Sequence, residues 1–386
     1  MFLGGLAAFP LLKEGGVRPR AVVIGAGAFG GWTALHLQRG GADVELIDAW
    51  GPGNTRASSG GETRVIRAIY GPDRIYVEMV RRSYELWGEL DPSLYVETGA
   101  LWLHRGDDAY VRSSLTILEE SGFPVDRWAP DEAARRYPQI DFKGVASVYF
   151  ERRAGALSAR AACGAVRDRF VKEGGAYRTA QISINDVPSL HADACVFACG
   201  PWLGKLFPEV IGDSIRPTRQ EVFYFGTPQG SDRYRPGQLP VWIDFGERIF
   251  YGVPDVHGRG FKVADDTRGD LFDPTTGDRT ASAAAIARAR AILAERFPEL
   301  VNAPLLDAEV CQYENSPDGH LIIDRHPEVK NVWIAGGGSG HGFKLSPAVG
   351  EMVAGAVLAG KSVPEQFRLA RLRDAKKPST QFDRKS

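Results

Sequence analysis

Three glycines, Gly25, Gly27 and Gly30, stand in the spacing GxGxxG within AVVIGAGAFGG, and Asp48 closes the next apolar run, VELID. Each glycine answers a separate steric demand. Gly25 permits a tight turn, Gly27 lets the backbone approach a pyrophosphate, and Gly30 lets a helix pack closely on a sheet. A helix beginning there offers unpaired amides and a partial positive charge to that pyrophosphate. Asp48 can accept hydrogen bonds from a ribose hydroxyl. Alone, the glycines would fit a structural turn. With a strand, a helix and an acid at the matching distances they point to a dinucleotide, without separating FAD from NAD.

A second glycine loop, GGGSGHGFKLSP, also lies between an apolar run and a helical one, and carries Lys344 inside it. Arg64 and Arg67 stand at an odd separation in GETRVIR, which places two side chains on opposite faces of an extended segment. One arginine can then serve each side of a flat ligand. Arg67 and Lys344 can clamp a substrate carboxylate, the arginine in the bidentate geometry of its planar fork. The alternative for each cation is a solvated surface residue. Cys311, in EVCQYENSPDG, has no mate at the spacing of a zinc site or a disulfide framework, and neither do Cys163, Cys195 and Cys199. No metal site is expected, and Cys311 by itself reads as a buried structural thiol.

The elements that must position these groups follow from periodicity. Residues 21–27, the helical spacing of AFGGWTALHLQRGG and the run ADVELIDA make a strand–helix–strand unit. A loop rich in glycine and serine leads to a helix with apolar positions at Val77, Val80, Tyr84 and Trp87. Residues 92–150 mix short strands with a helix near 110–121. SARAACGAVRDRFVKEGG reads as an amphipathic helix closed by glycines, and ADACVFACGPW as a buried strand meeting a tight turn. Between 216 and 262 the runs EVFYFG, PVWIDF and RIFYGV predict an antiparallel sheet. An alanine-rich helix is expected over 281–297, and NVWIAGGGSGHGFKLSPAVG repeats the strand, glycine loop, helix order. From Arg368 onward the chain reads as a charged tail.

A chain of 386 residues exceeds the size at which one core keeps growing, so two domains are expected. A net charge of −1 with dispersed lysines and arginines argues against nucleic-acid binding and favours a small-molecule partner. The apolar start, MFLGGLAAFPLL, is too short to span a bilayer and lacks a basic region or a small-residue cleavage site. It reads as a frayed tail on a cytoplasmic protein, the alternative being the remnant of an export signal.

Four ordered blocks lie between residues 20 and 367: VVIGAGAFGGWTALHLQRGGADVELID, GGETRVIRAIYG, VCQYENSPDGHLIIDRHP and IAGGGSGHGFKLSPAVG. In them the chain resembles the monomeric sarcosine oxidases and their relatives, the N-methyltryptophan, pipecolate and fructosyl-amino-acid oxidases. The resemblance implies FAD, bonded at a flavin methyl carbon to the sulfur of Cys311, in a polar turn at the ring edge. The attacking thiolate would need surroundings that favour it over the thiol. The implied fold is α/β, α+β overall. A glutathione-reductase-like FAD-binding domain would be drawn from 17–98, 150–213 and 314–367, and a mainly antiparallel substrate domain from 99–149 and 214–313, with tails at 1–16 and 368–386. Thr63, Arg64, Gly200, Trp202, Gly337, Gly338, Gly340, Gly342 and Lys344 join Gly25, Gly27, Gly30, Asp48 and Cys311 as implied cofactor contacts.

The implied reaction removes two electrons from the C–N bond of a secondary amino acid, N-methyl or cyclic, giving an imine that water hydrolyses and hydrogen peroxide from dioxygen. Arg67 and Lys344 match the family's carboxylate pair. Tyr251 and Tyr313 fall on substrate-side tyrosines, and Gly340 and His341 on a loop bordering the pocket. Lys262, in GRGFKVADD, matches a lysine that promotes the reaction with oxygen, near Arg64. A fixed cation about 4 Å from a nascent anion, at an effective dielectric near 20, is worth about 4 kcal/mol. Three positions depart from the sarcosine oxidase pattern: Gly60 and Asp266 replace histidines, and Trp242 replaces a methionine. Trp242 is therefore expected to fill or line the substrate pocket, and Asp266 to hold a cationic amine or lie on the surface. The implied protein is a monomer with no membrane partner. Its rivals are a dehydrogenase of the same fold and a flavoprotein subunit without catalysis.

Overall fold

The structure is a computed structural model and describes residues 18–374 and 379–384. Its first sheet has six strands in the order Ile322–Arg325, Val332–Gly336, Ala194–Phe197, Arg20–Ile24, Asp43–Asp48 and Ala176–Thr179. All neighbours are parallel except the antiparallel edge strand Ile322–Arg325. Parallel strands covered on both faces become continuous apolar runs, which is why VVI, CVF and VWIA show no alternation.

The helix Ala28–Arg39 carries the chain from Ile24 back to Asp43 and packs on the helix Ser346–Ala359. Their approach depends on Gly350, where a Cβ would fall 2.6 Å from the backbone carbon of Trp32. Both glycine loops of the sequence thus open helices that meet over the same sheet.

The second sheet has eight strands in the order Leu305–Asn315, Arg216–Phe225, Phe261–Asp265, Ile249–Val253, Val241–Phe245, Ala100–His104, Ser147–Glu151 and Val125–Trp128. It is antiparallel apart from the pairing of Val241–Phe245 with Ala100–His104. One face carries Phe223, Trp242, Phe261 and Val263 into a core closed by Ile292, Leu293 and Phe297. Ile292 and Leu293 belong to the helix Ala283–Arg296, whose first turn is capped by Ser282 Oγ accepting from Ala285 N at 3.2 Å. The other face turns toward the first sheet. A small third sheet, Thr63–Ile66, Gly155–Ser158 and Tyr95–Glu97, fixes Arg64.

The sheets interleave along the chain, and two of the boundaries drawn from sequence fall inside strands, Ser147–Glu151 and Leu305–Asn315. The end of the chain also departs from expectation. Instead of a solvated tail, residues 379–384 lie against the second sheet, with Gln381 only 2% exposed. No helix among the described residues is long and apolar enough to cross a membrane. The segment MFLGGLAAFPLL lies outside the described residues.

Candidate functional site

A cavity of about 340 Å³ runs along the carboxyl ends of the parallel strands. Gly25 turns there with φ 103°, and a Cβ on Gly30 would sit 1.7 Å from Gly25 O, so the loop can fold back on its helix only without side chains. Asp48, the acid expected to meet a ribose, shapes the turn itself. Its Oδ2 accepts from Ala26 N at 2.7 Å, and its Oδ1 from Trp50 N at 2.8 Å and Gly51 N at 2.7 Å. The carboxylate therefore holds the turn and keeps lone pairs for a hydroxyl. Gly200 and Trp202 line the same cavity, with Trp202 Nε1 donating to Thr275 Oγ1 at 2.9 Å.

From the second glycine loop, Gly338, Gly340 and Gly342 line the cavity, and Gly340 lies so close to Tyr313 that a Cβ would come within 2.8 Å of its ring. The expected cofactor contacts Gly30, Gly337 and Thr63 do not line the cavity, Gly30 being packed on Gly25 and Ala198. Gly337 is packed against Ile322, where a Cβ would be 3.1 Å from the backbone nitrogen. Thr63 is turned to Lys262, which takes its carbonyl and hydroxyl oxygens.

At its inner end the strand Leu305–Asn315 divides this cavity from a smaller one. Cys311 faces the smaller cavity and Gln312 and Glu314 the larger, following strand alternation, while the large ring of Tyr313 reaches both. Cys311 is thus a strand residue paired opposite Gln220, and not part of a turn. Its Sγ lies 3.6 Å from Arg64 Nη2, which also donates to Ser58 O at 2.8 Å and Gly60 O at 2.6 Å. The carbonyl of Thr63 accepts from two cations, Arg64 Nη1 at 2.9 Å and Lys262 Nζ at 2.8 Å. Burial first, and then the Arg64 charge, push the Lys262 ammonium down to about 7.

The smaller cavity, about 80 Å³, joins Arg67, Lys344, Asp266, Tyr251 and Tyr313. Arg67 and Lys344 are 5% and 4% exposed, and among the described residues neither forms an ion pair. The Arg67 guanidinium lies 4.7 Å over Tyr70 and 5.1 Å over Trp102, and donates to Ile69 O. Lys344 Nζ donates to His341 O at 3.0 Å, and burial with Arg67 alongside holds its pKa well below the usual lysine range. Opposite charge enters through Asp266, whose Oδ1 accepts from Tyr313 OH at 2.6 Å and whose side chain is 12% exposed. Burial raises the Asp266 pKa. His341 holds the wall: its ring is fixed between Tyr70 OH at 3.1 Å and Gly319 O at 2.8 Å, and burial with Lys344 nearby keeps it neutral.

Trp242, expected in this pocket, is on the other side of the sheet, its ring 5.0 Å from Phe297 and 6.3 Å from Phe261. Strand pleating turns its neighbour Ile243 to the cavity instead. Two contributors were not anticipated. Glu314 is buried, its Oε1 accepts from Gly338 N at 3.0 Å, and its Oε2 has no protein partner in the wall of the large cavity. Burial raises its pKa to about 7. Counting by twos from Gln312 would have placed it there. The other is the C-terminal pair Gln381 and Phe382, which closes the small cavity and which no local pattern announces.

Among the described residues no group of histidine, cysteine or carboxylate side chains could hold a metal ion. The family model described as FAD dependent oxidoreductase matches residues 20–356. A monomeric sarcosine oxidase of Bacillus sp. (strain B-0618) is 33% identical, covering 88% of this chain and 92% of that protein. The N-methyl-L-tryptophan oxidase of Salmonella enteritidis PT4 is 27% identical over 91% and 98%. Of solved structures, the fructosamine oxidase Amadoriase II from Aspergillus fumigatus superposes with a TM-score of 0.79 at 21% identity, over 95% of this chain and 93% of that one. The L-proline dehydrogenase from P. horikoshii gives 0.77 at 22%, over 93% and 99%.

Proposed function

The chain belongs to the FAD-dependent oxidoreductase family, and from that premise we propose that it oxidises the C–N bond of a small secondary amino acid to an imine, with dioxygen as acceptor and hydrogen peroxide as product. One observation carries the reading: Arg67 and Lys344, both buried and, among the described residues, in no ion pair, wall a small cavity that abuts the large one. Two desolvated cations are costly unless an anion joins them, and a substrate carboxylate supplies it.

FAD fits the larger cavity by its donor set: a glycine turn that leaves room for pyrophosphate, Asp48 with free lone pairs, and the unpartnered Glu314 Oε2 as acceptor for a hydroxyl. When bound, FAD supplies the two-electron acceptor. Arg67 and Lys344 fix the substrate carboxylate, and Asp266, steadied by Tyr313, faces the amine end and can take the ammonium proton so that nitrogen enters as the free amine. Cys311, whose Sγ lies 3.6 Å from Arg64 Nη2, is the residue that would hold FAD covalently. Lys262 supplies the fixed positive charge toward which oxygen is reduced, which favours an oxidase over a dehydrogenase of the same fold.

Similarity to the N-methyl-L-tryptophan and monomeric sarcosine oxidases supports the substrate class. The test is a peroxide-coupled screen of sarcosine, N-methyl amino acids, proline, pipecolate and fructosyl amino acids, run beside anaerobic bleaching of the flavin. Peroxide from a small secondary amino acid is expected. Dye reduction without peroxide would select the dehydrogenase, and an unbleached flavin with every amine would end the proposal. After acid precipitation the yellow colour should stay with the protein, and pass to the supernatant in Cys311→Ala.

A further inference from the structure

The segment 379–384 is stitched down at both ends. Ser379 N donates to Pro317 O at 2.8 Å. Arg384 pairs with Asp73, donates to Asp318 O at 3.0 Å, and lies 5.6 Å over the ring of Tyr76. Between these anchors Thr380 and Asp383 cap one another, Thr380 N donating to Asp383 Oδ2 at 2.6 Å. The cap forces the two intervening side chains inward. Phe382 meets Tyr110 and Phe245 edge-on, each at 5.2 Å, and lies 5.6 Å from the Arg67 guanidinium. Gln381 Oε1 accepts from Arg268 Nη2 at 3.4 Å, and Arg268 also donates to Ser339 O at 2.7 Å in the second glycine loop.

Gln381 and Phe382 therefore line the small cavity together with Arg67 and Lys344, with Phe382 seated against Phe245 of the second sheet. With them in place its volume is about 80 Å³. Pockets that take drug-sized ligands hold roughly 300–1,000 Å³, so the guest must be small. The sheet side of the pocket is rigid strand. The C-terminal side is a single short segment held by the ring contacts of Phe382 and polar anchors, and it is where room for a larger side chain could be made.

We infer that Phe382, held in place by the Arg384 anchor, determines substrate size by closing the outer end of the carboxylate pocket, so that amino acids with little or no side chain, or a five- or six-membered ring, are accepted and bulky ones are excluded. The inference rests on the amine-oxidation reading and adds to it the size class of the substrate. Phe382 is also a positioning residue for Arg67, because its ring completes the stack of Tyr70 and Trp102 around the guanidinium.

The test compares full-length holoenzyme with Phe382→Ala, Phe382→Leu and Arg384→Ala across sarcosine, N-methylalanine, N-methylleucine and N-methylphenylalanine. Phe382→Ala and Arg384→Ala should raise kcat/KM for the bulky members relative to sarcosine by about tenfold or more. KM for sarcosine should rise severalfold as Arg67 loosens, with kcat nearly unchanged. Phe382→Leu should fall between. A purely structural role would lower activity evenly along the series, so a bulky-to-small ratio unchanged in Phe382→Ala and Phe382→Leu would overturn the inference. Should one variant fold poorly by flavin content and melting temperature, the ratio in the others decides. Failure of the underlying reading has a different sign: no amine would bleach the wild-type flavin at all.

Discussion

A carboxylate deprived of water ionises reluctantly, and Glu314 has only the Gly338 amide to offset that loss. Its pKa of about 7 means that in cofactor-free protein the folded state holds a proton that the unfolded chain releases near 4.5. Stability from this group is then fully present below about 4.5 and is lost as pH rises through about 7, by up to about 3 kcal/mol. Urea denaturation of cofactor-free wild type and Glu314→Gln should show the difference between the two curves growing over that window and flat above it. Parallel curves would count against the assignment. Lys262 shifts in the opposite sense for the same cause, and its charge is lost as pH rises above about 7. In stopped flow, Lys262→Met should slow oxidation of the reduced enzyme by up to about a thousandfold while leaving reduction by substrate nearly intact, and only the wild type should show oxidation slowing at or above about pH 7. Equal slowing of both half-reactions would remove Lys262 from oxygen chemistry.

The strand Leu305–Asn315 shows how one element sorts residues by parity. Cys311 goes to the small cavity and Gln312 and Glu314 to the large one, with the Tyr313 ring long enough to border both. Its polar letters look like a turn in the sequence because strand reading assumes that polar residues face solvent, whereas here they face an internal cavity. The same parity misplaces Trp242: the sequence marks its strand correctly but not which face meets the site. The helices Ala28–Arg39 and Ser346–Ala359 were legible because their glycines and apolar spacing are local. Their crossing yields a prediction. Gly350→Ala puts a Cβ 2.6 Å from Trp32 backbone, where no side chain can move aside, and should cost about 1–3 kcal/mol in chemical denaturation. An unchanged midpoint would mean that the helices can separate freely.

At the scale of the molecule, Arg67 and Lys344 come from opposite ends of the chain and meet because the two sheets interleave, the first supplying the second glycine loop and the small third sheet leading to Arg67. Charge-assisted bonds of this kind are worth roughly 1.5–3 kcal/mol each. Arg67→Gln and Lys344→Met should therefore each reduce kcat/KM by about 10- to 100-fold, and together by less than the product, since the two share one carboxylate. Full additivity in steady-state kinetics would indicate that they do not act on a common group. The C-terminal segment belongs to this scale as well: a charged stretch in sequence becomes a pocket wall only through Asp73 and Asp318, far away along the chain.

By itself the sequence determined what short-range sterics and periodicity can encode: the glycine turns, the helices behind them, and the parallel and antiparallel runs. Tertiary structure alone decided which face of each strand met a cavity, that Cys311 lies in a strand beside Arg64, that Glu314 is buried with its Oε2 unpartnered, and that Phe382 lines the small cavity. The division is physical. Backbone turns and helical faces are set by atoms a few residues apart, whereas burial, and with it every perturbed charge in the site, depends on what distant segments bring to cover it.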